Sequence, residues 1–476
     1  MLSKPLIQLT KLSNATLAEL PIPGPSYDRN HVGIGIVHFG VGGFHRAFEA
    51  VYMDRLLEQG LGRDWGICGV GVLPADRRMS DVLHAQDGLY TLVLGHSDGR
   101  REARVIGSLV DYRYAPDDPE AVIELLSAPA TRIISMTITE GGYLDDGLTL
   151  SVFTLITEAL ARRRDRGLPS PTIVSCDNME ANGAAARRAV MTSAERRHPG
   201  LTDWIATHTR FPHSMVDRIT PATTPEIAAG VHRDFGVDDQ WPVLAEPFIS
   251  WVLEDDFSDG RPPLADAGVL LVDDVEPYEL MKLRLLNAGH QSLGYFAYLC
   301  GYRFVDDAAR DPLFVQFLRA YFDSEATPTL RPVPGIDLDD YKRSLIRRFA
   351  NPNIRDTVAR LCSYSSDRIP KFLLPVIYEN LATGAPIRLA AATVASWARY
   401  AEGVDEQGEP IEIVDHLAES LVPTARSQRA HPTAFIENAA VFQDLAREPR
   451  FVAAYSWALD SLHSNGARAT LQALLR

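Results

Sequence analysis

Two hydrophobic periods divide this chain. Between about residue 33 and about residue 220, short β-rich runs alternate with runs at helical spacing, the arrangement of parallel strands joined by crossover helices. VGIGIVHF (32–39) reads as the first strand, GVGGFHRAFEAVYMDRLLEQG (40–60) as turn and helix, and WGICGVGV (65–72) as a second strand. DPEAVIELLSA (118–128) and SVFTLITEALARRR (151–164) read as helices, TRIISMTIT (131–139) and PTIVSCDN (171–178) as strands. HSMVDRITPATTPE (213–226) breaks the alternation with Pro and Thr, and extra strands fit there. Beyond about residue 275 the runs YELMKLRLLNAGHQSLGYFAYLCGY, DPLFVQFLRAYFDSEA and AAATVASWARYAEG all recur at helical spacing.

The predicted fold class is therefore α/β. A doubly wound, Rossmann-type N-terminal domain spans residues 1–275, and a mostly α-helical C-terminal domain spans 276–476, with the boundary inside VLLVDDVEPYE (269–279). The 476 residues, 46% hydrophobic and 23% charged, contain no apolar run long enough to cross a bilayer. The N-terminal MLSKPLIQLTKLSN interrupts its apolar residues with Lys4, Pro5, Gln8 and Lys11, unlike a secretory leader, so a cytoplasmic protein is expected. Cys68, Cys176, Cys300 and Cys362 stand singly in apolar settings, which reads as buried reduced thiols with no Cys/His spacing for zinc. A formal charge of −15 repels a phosphate backbone, and no Lys/Arg cluster reverses it, so nucleic acid is not an expected partner.

Gly40, Gly42 and Gly43 follow a strand and open a helix, the setting a dinucleotide pyrophosphate requires: a tight turn, bare backbone and exposed helix N–H groups. The third glycine of the GxGxxG pattern is replaced by His45. The same turn also serves where only chain reversal is needed. After the second strand, Asp76 is placed either to accept adenosine ribose hydroxyls or to cap the helix that follows it. Its neighbours Arg77 and Arg78 are suited to a 2′-phosphate, so NAD is favoured without excluding NADP.

The helical run around KLRLLNAGHQSLGY carries a second group of polar residues. At about 100° per residue, with Lys282 at zero, Glu279 falls near 60°, His290 near 80° and Asn287 near 140°, on one face, while the leucines lie largely outside that arc. Oxidation of a secondary alcohol needs a base for the hydroxyl proton and donors for the developing alkoxide. Lys282, kept uncharged, suits the base; Asn287 suits the donor; His290 suits a second hydroxyl or the orientation of the lysine. Asn178, at the C-terminal end of a predicted parallel strand, offers a second amide, facing Asn287 across a cleft between domains. An Asx turn at Asp177–Asn178 is the alternative. This chemistry requires no metal.

These stretches together resemble the polyol-specific long-chain dehydrogenase/reductase family, most of all its mannitol 2-dehydrogenase branch. The resemblance spans nearly the whole chain through GVGGFHRA, WGICGVGV, TITEGGY, SCDNMEANG, VDRITP, LMKLRLLNAGHQSLGY and ANPNIRDTVARLC…RIPKFLLP, with KLRLLNAGH the most specific. It implies NAD-dependent interconversion of a mannitol-like polyol and its ketose, with fructuronate reductases and arabinitol or sorbitol dehydrogenases as alternatives. A non-catalytic NAD-binding sensor is the alternative of another class. Position by position it implies Lys282 as base, Asn178 and Asn287 as the oxyanion pair and His290 as orienting residue. It adds Asp217, Arg360 and Arg368 as contacts to distal hydroxyls, Arg368 standing where relatives have lysine, and Glu279 on a proton path. Gly40, Gly42, Gly43 and Phe44 border the cofactor, as do Thr139, Glu140 and Gly141 at the nicotinamide ribose. It also implies a monomer.

Overall fold

The computed structural model describes residues 9–143 and 150–476 and divides them into two compact units, one comprising residues up to 96 with 100–276, the other residues 97–99 with 277–476.

The first unit is built on a parallel sheet of β1 (Ile34–Phe39), β2 (Gly66–Gly71), β3 (Leu109–Tyr114), β4 (Ile133–Met136) and β5 (Thr172–Ser175) in the order β3-β2-β1-β4-β5. These strands read as nearly unbroken apolar runs because helices cover both faces. Ile36 and Ile133 pack into one apolar layer with Phe48, Tyr52 and Trp251, while Val37, Phe39 and Ile134 pack into the other with Leu126, Ile156 and Val190. Neighbouring residues thus face opposite ways along each strand. The order reverses between β1 and β4, and in such sheets the crevice at the carboxyl ends of those strands is where ligands bind.

The crossover helices are α1 (Gly43–Ala47), α2 (Glu49–Glu58), α3 (Asp76–Ala85), α4 (Pro119–Ser127), α5 (Val152–Asp165) and α6 (Asn182–Arg197). Asp118 and Ser151 cap α4 and α5 through their side chains. Two additions interrupt the alternation. Tyr90–Gly95 and Arg101–Ile106 form an antiparallel pair extended by Val243–Ala245, and Ser214–Asp217 pairs antiparallel with Ser250–Glu254, itself parallel to Leu270–Val272.

The second unit is helical. Arg388–Ala401 buries almost every side chain, as its Ala-rich sequence allows, and packs against the long C-terminal helix Pro449–Leu474 and against Ala288–Leu299. Among the described residues no helix is long and apolar enough to cross a membrane. Cys68, Cys176 and Cys362 are buried and unpaired; Cys300 is unpaired and only partly buried, which corrects the expectation that all four are interior.

Candidate active site

In the first unit the turn after β1 is held from below. Gly40 sits at φ +86°, and a Cβ there would lie 2.1 Å from the Thr137 carbonyl oxygen, so only glycine fits. The Thr137 hydroxyl donates to the Gly40 carbonyl at 2.7 Å and meets His38 Nε2 at 3.0 Å. His38 Nδ1 lies 2.8 Å from the Ser135 hydroxyl and 2.9 Å from a Glu49 carboxylate oxygen, to which Ser135 also donates at 2.8 Å. A buried chain of hydrogen bonds thus runs from α2 to the glycine turn.

Gly42 differs from Gly40. Its φ is −85°, and the nearest heavy atom to a Cβ at this position is the Gly40 carbonyl oxygen, 3.9 Å away. Neither backbone conformation nor packing within the protein requires glycine there. The missing side chain leaves the Gly42–Gly43 backbone bare beside the first turn of α1, a cradle that a Cβ would fill, and this fits the close approach of a dinucleotide pyrophosphate. Phe44 is partly buried and stacks on Phe48 at 4.8 Å.

His45 takes the place of the third glycine by stacking its ring on His38 at 3.6 Å, fully buried, with neither ring nitrogen hydrogen-bonded among the described residues. Burial, with His38 and Arg46 beside it, pushes this imidazole well below its ordinary range. His38, His45 and Glu49 are a trio of potential metal ligands whose donor atoms lie within 4.8 Å of one another, a cluster the sequence reading did not anticipate. Nearly parallel stacked imidazoles aim their in-plane lone pairs side by side, so they do not converge on a shared ion. The trio's hydrogen bonds are those of a support beneath the turn.

Asp76 is the first residue of α3, and its Oδ2 accepts the Val72 and Leu73 amides at 2.9 Å each. It therefore ties the end of β2 to the helix; the helix-cap alternative is corrected, because Ala75 holds the cap position. Arg77 pairs with Asp117 and lies over the Tyr114 ring, and Arg78 lies over Trp241. Both arginines offered for a 2′-phosphate are engaged within the protein.

Thr139 stands exposed after β4 at φ +62°, a strained conformation for a β-branched residue. Asp177 holds it there, accepting the Thr139 amide at 2.8 Å, the Ile138 amide at 3.1 Å and the Tyr143 hydroxyl at 2.7 Å. Burial raises the Asp177 carboxyl above its ordinary value against the pull of these donors. Glu140 and Gly141 follow in an exposed helical turn. Asn178 is exposed just beyond the carboxyl end of β5. Asp217 is buried at the end of its strand. The local organiser is Asn182, which donates to the Ser214 carbonyl at 2.8 Å and accepts its amide at 3.0 Å.

In the second unit the polar helix departs from the expected wheel. Residues Lys282–Asn287 form a π-helix, with the Ala288 amide bonded back to the Leu283 carbonyl five residues before it. The assumed 100° per residue does not hold across this segment, which corrects the angles assigned to Asn287 and His290. Lys282 and Asn287 are the first and last residues of this widened turn, so the π register sets the angle between them. Lys282 is buried, 6% exposed, and Glu279 is partly buried one turn earlier. The Asn287 carboxamide oxygen is buried with no hydrogen-bond partner among the described residues, and rotating the amide end for end presents an N–H there instead. A buried amide oxygen without a protein partner leaves room for a ligand group at this position.

The His290 ring stacks on Phe349 at 4.1 Å. Burial pushes its imidazole down to about 3, with Arg360, Arg348 and Arg368 adding to the shift and Asp356 opposing it. Arg360 is exposed and pairs with Asp356 through two charge-assisted bonds, while Arg368 donates to the Arg360 and Leu361 carbonyls at 2.9 and 3.2 Å. Arg348, buried, is the member of this group missed in the sequence. Lys282, Glu279, Asn287, His290, Arg360 and Arg368 thus belong to the helical unit, and Asn178 and Asp217 to the sheet-bearing one.

Residues 34–266 match the model of the mannitol dehydrogenase Rossmann domain, and residues 274–463 that of the mannitol dehydrogenase C-terminal domain. A mannitol 2-dehydrogenase of Phaeosphaeria nodorum is 43% identical over 97% of this chain and 85% of its own, and mannitol dehydrogenase 2 of Saccharomyces cerevisiae is 42% identical over 98% of each. Among solved structures, the Pseudomonas fluorescens mannitol 2-dehydrogenase ternary complex with NAD and D-mannitol superposes with a TM-score of 0.88, at 43% identity, covering 98% of this chain and 99% of that one. A D-sorbitol dehydrogenase in substrate-free form gives 0.89, at 35% identity, over 97% and 100%.

Proposed function

The chain belongs to the mannitol dehydrogenase family, and from that premise we propose that it is a metal-independent, NAD-dependent polyol dehydrogenase that interconverts a mannitol-like sugar alcohol and the corresponding ketose, fructose for mannitol. The observation that carries the reading is the π turn, which begins at a buried lysine and ends at a carboxamide whose oxygen has no hydrogen-bond partner among the described residues, in a chain that matches a mannitol 2-dehydrogenase over nearly its full length.

We assign residues 1–275 to the cofactor-binding domain and 276–476 to the substrate-binding and catalytic domain. NAD, when bound, supplies the acceptor for the carbinol hydride. Gly40, Gly42, Gly43 and Phe44 receive the dinucleotide backbone, Asp76 the adenosine ribose, and Thr139, Glu140 and Gly141 the nicotinamide ribose. Lys282 accepts the hydroxyl proton as the carbonyl forms, and Glu279 carries that proton onward. Asn287 and Asn178 donate amide N–H groups to the oxygen as its negative charge develops. His290, neutral under working conditions, orients the lysine and holds a second hydroxyl. Asp217, Arg360 and Arg368 read the distal hydroxyls. The internal engagement of Arg77 and Arg78 supports NAD over NADP. The unpaired thiols support a reducing, cytoplasmic setting, and we take the enzyme to act as a monomer.

The test is nicotinamide reduction followed by absorbance with mannitol, sorbitol, arabinitol and mannonate, each with NAD and with NADP. Mannitol with NAD is expected to give the highest kcat/KM. Sorbitol as the better substrate would favour a second reading, supported by the equally close fold of the sorbitol dehydrogenase. Mannonate would put a carboxylate among Arg348, Arg360 and Arg368. A thermal shift with NAD and no turnover on any polyol would make the protein a nucleotide sensor instead.

A further inference from the structure

In an unbroken α-helix the Arg284 carbonyl accepts from the Ala288 amide, four residues on. Here that amide is directed to the Leu283 and Leu285 carbonyls, so the π turn takes away the α-helical donor of Arg284. The Tyr321 hydroxyl, from the last residue of the helix Pro312–Tyr321, reaches the Arg284 carbonyl oxygen at 3.2 Å. Tyr321 is fully buried. The next residue, Phe322, closes on the far side of the turn, where a Cβ at Gly289 would come within 2.9 Å of its ring. The Arg284 side chain is itself fixed, donating to both Glu379 carboxylate oxygens at 2.9 and 2.6 Å.

We propose that Tyr321 is a positioning residue for the proton-transfer pair: its hydroxyl supplies the hydrogen bond that the π register removes from Arg284, and so holds the register that sets Asn287 relative to Lys282. The proposal rests on the reading of Lys282 and Asn287 as base and donor. Without the hydroxyl, the α register regains stability, because Ala288 N–H then satisfies Arg284. In that register Asn287 lies about 140° around the helix from Lys282, at the outer edge of the polar face.

The experiment is a double-mutant cycle on the full-length enzyme with Tyr321→Phe, Asn287→Ala and the pair, measuring kcat and KM for the polyol and the Kd for NADH. Tyr321→Phe removes one oxygen and keeps the ring, and circular dichroism and the thermal midpoint establish that each variant is folded. Tyr321→Phe is expected to lower kcat about tenfold or more with the NADH Kd within about twofold of the parent. In the Asn287→Ala background the same change costs less than about twofold, because the group it positions is gone. Parental turnover in Tyr321→Phe, or a double variant that loses the full product of the two single effects, overturns the proposal. Parental turnover in Asn287→Ala overturns the catalytic reading itself, and the proposal with it.

Discussion

The Thr137 hydroxyl donates a 2.7 Å hydrogen bond to the carbonyl of Gly40, joining the end of one parallel strand to the turn after its neighbour. Thr137→Val keeps the shape and removes the donor, leaving His38 Nε2 without this partner and the Gly40 carbonyl with the Gly42 amide alone, at 2.7 Å. Such a loss is worth about 1 kcal/mol. The Kd for NADH, measured by fluorescence titration, is expected to rise about fivefold to tenfold while KM for the polyol holds. Unchanged affinity would show that the turn keeps its conformation without the network.

Gly42 separates a cofactor cradle from a turn that needs glycine only for its own geometry. Its φ of −85° suits alanine, and the space around a Cβ is open to 3.9 Å. Gly42→Ala is therefore expected to leave the thermal midpoint within about 2 °C of the parent, as for a surface change of about 0.5 kcal/mol. The added methyl group occupies the approach of the pyrophosphate, so the Kd for NADH is expected to rise about tenfold or more, roughly 1.4 kcal/mol. Gly40→Ala behaves differently: with φ +86° and a Cβ 2.1 Å from Thr137 O, it is expected to abolish soluble folded protein. Calorimetry on the two variants tells the roles apart.

Much of this was legible in the sequence. The strand–turn–helix from Ile34 to Ala47, the helix Val152–Asp165 and the helical second half all follow from hydrophobic period, which reports which face is buried. The π turn was not legible, because a wheel presumes its own period, and one inserted residue rotates everything beyond it. The His38–His45 stack was hidden for a related reason. The sequence marks His45 only as a missing glycine, whereas its partner lies on a strand seven residues earlier and is reached only once the turn reverses the chain. Thr139 carries no local sign of its left-handed backbone, since Asp177 imposes it from the loop that follows another strand. Asp76 was seen as an acid in the right place, but the bond from its oxygen to two strand-end amides depends on how tightly the turn closes.

His290 links the helical unit's stability to pH. Its imidazole, pushed from 6.5 down to about 3 chiefly by burial, stays neutral in the folded chain where the unfolded chain takes up a proton. Stability is therefore insensitive to this group above about pH 6.5 and is lost as pH falls toward about 3, with a slope approaching 1.4 kcal/mol per pH unit. Urea midpoints for the parent and His290→Gln, compared across about pH 4 to 7, are expected to show a shallower acid decline in the variant. Parallel curves would mean that His290 titrates alike in the folded and unfolded chains.

Lys282 is 6% exposed on a turn whose neighbours Leu283, Leu285 and Leu286 are buried, so removing its amine leaves an apolar lining with little reason to collapse. Lys282→Ala takes away the acceptor of the carbinol proton and leaves the glycine turn, which lies in the other unit, as it was. Polyol oxidation is expected to fall about 10²–10⁴-fold in kcat, the usual contribution of a general base, while the NADH Kd moves less than about twofold. Small primary amines added to this variant are expected to restore part of the rate in proportion to their unprotonated fraction, so rescue grows as pH rises toward the pKa of the added amine. The same amines should do nothing for Asn287→Ala, which lacks a donor and keeps its base. A Lys282→Ala enzyme that turns over at the parental rate, or one rescued equally by ammonium and by neutral alcohols, would place the proton acceptor elsewhere.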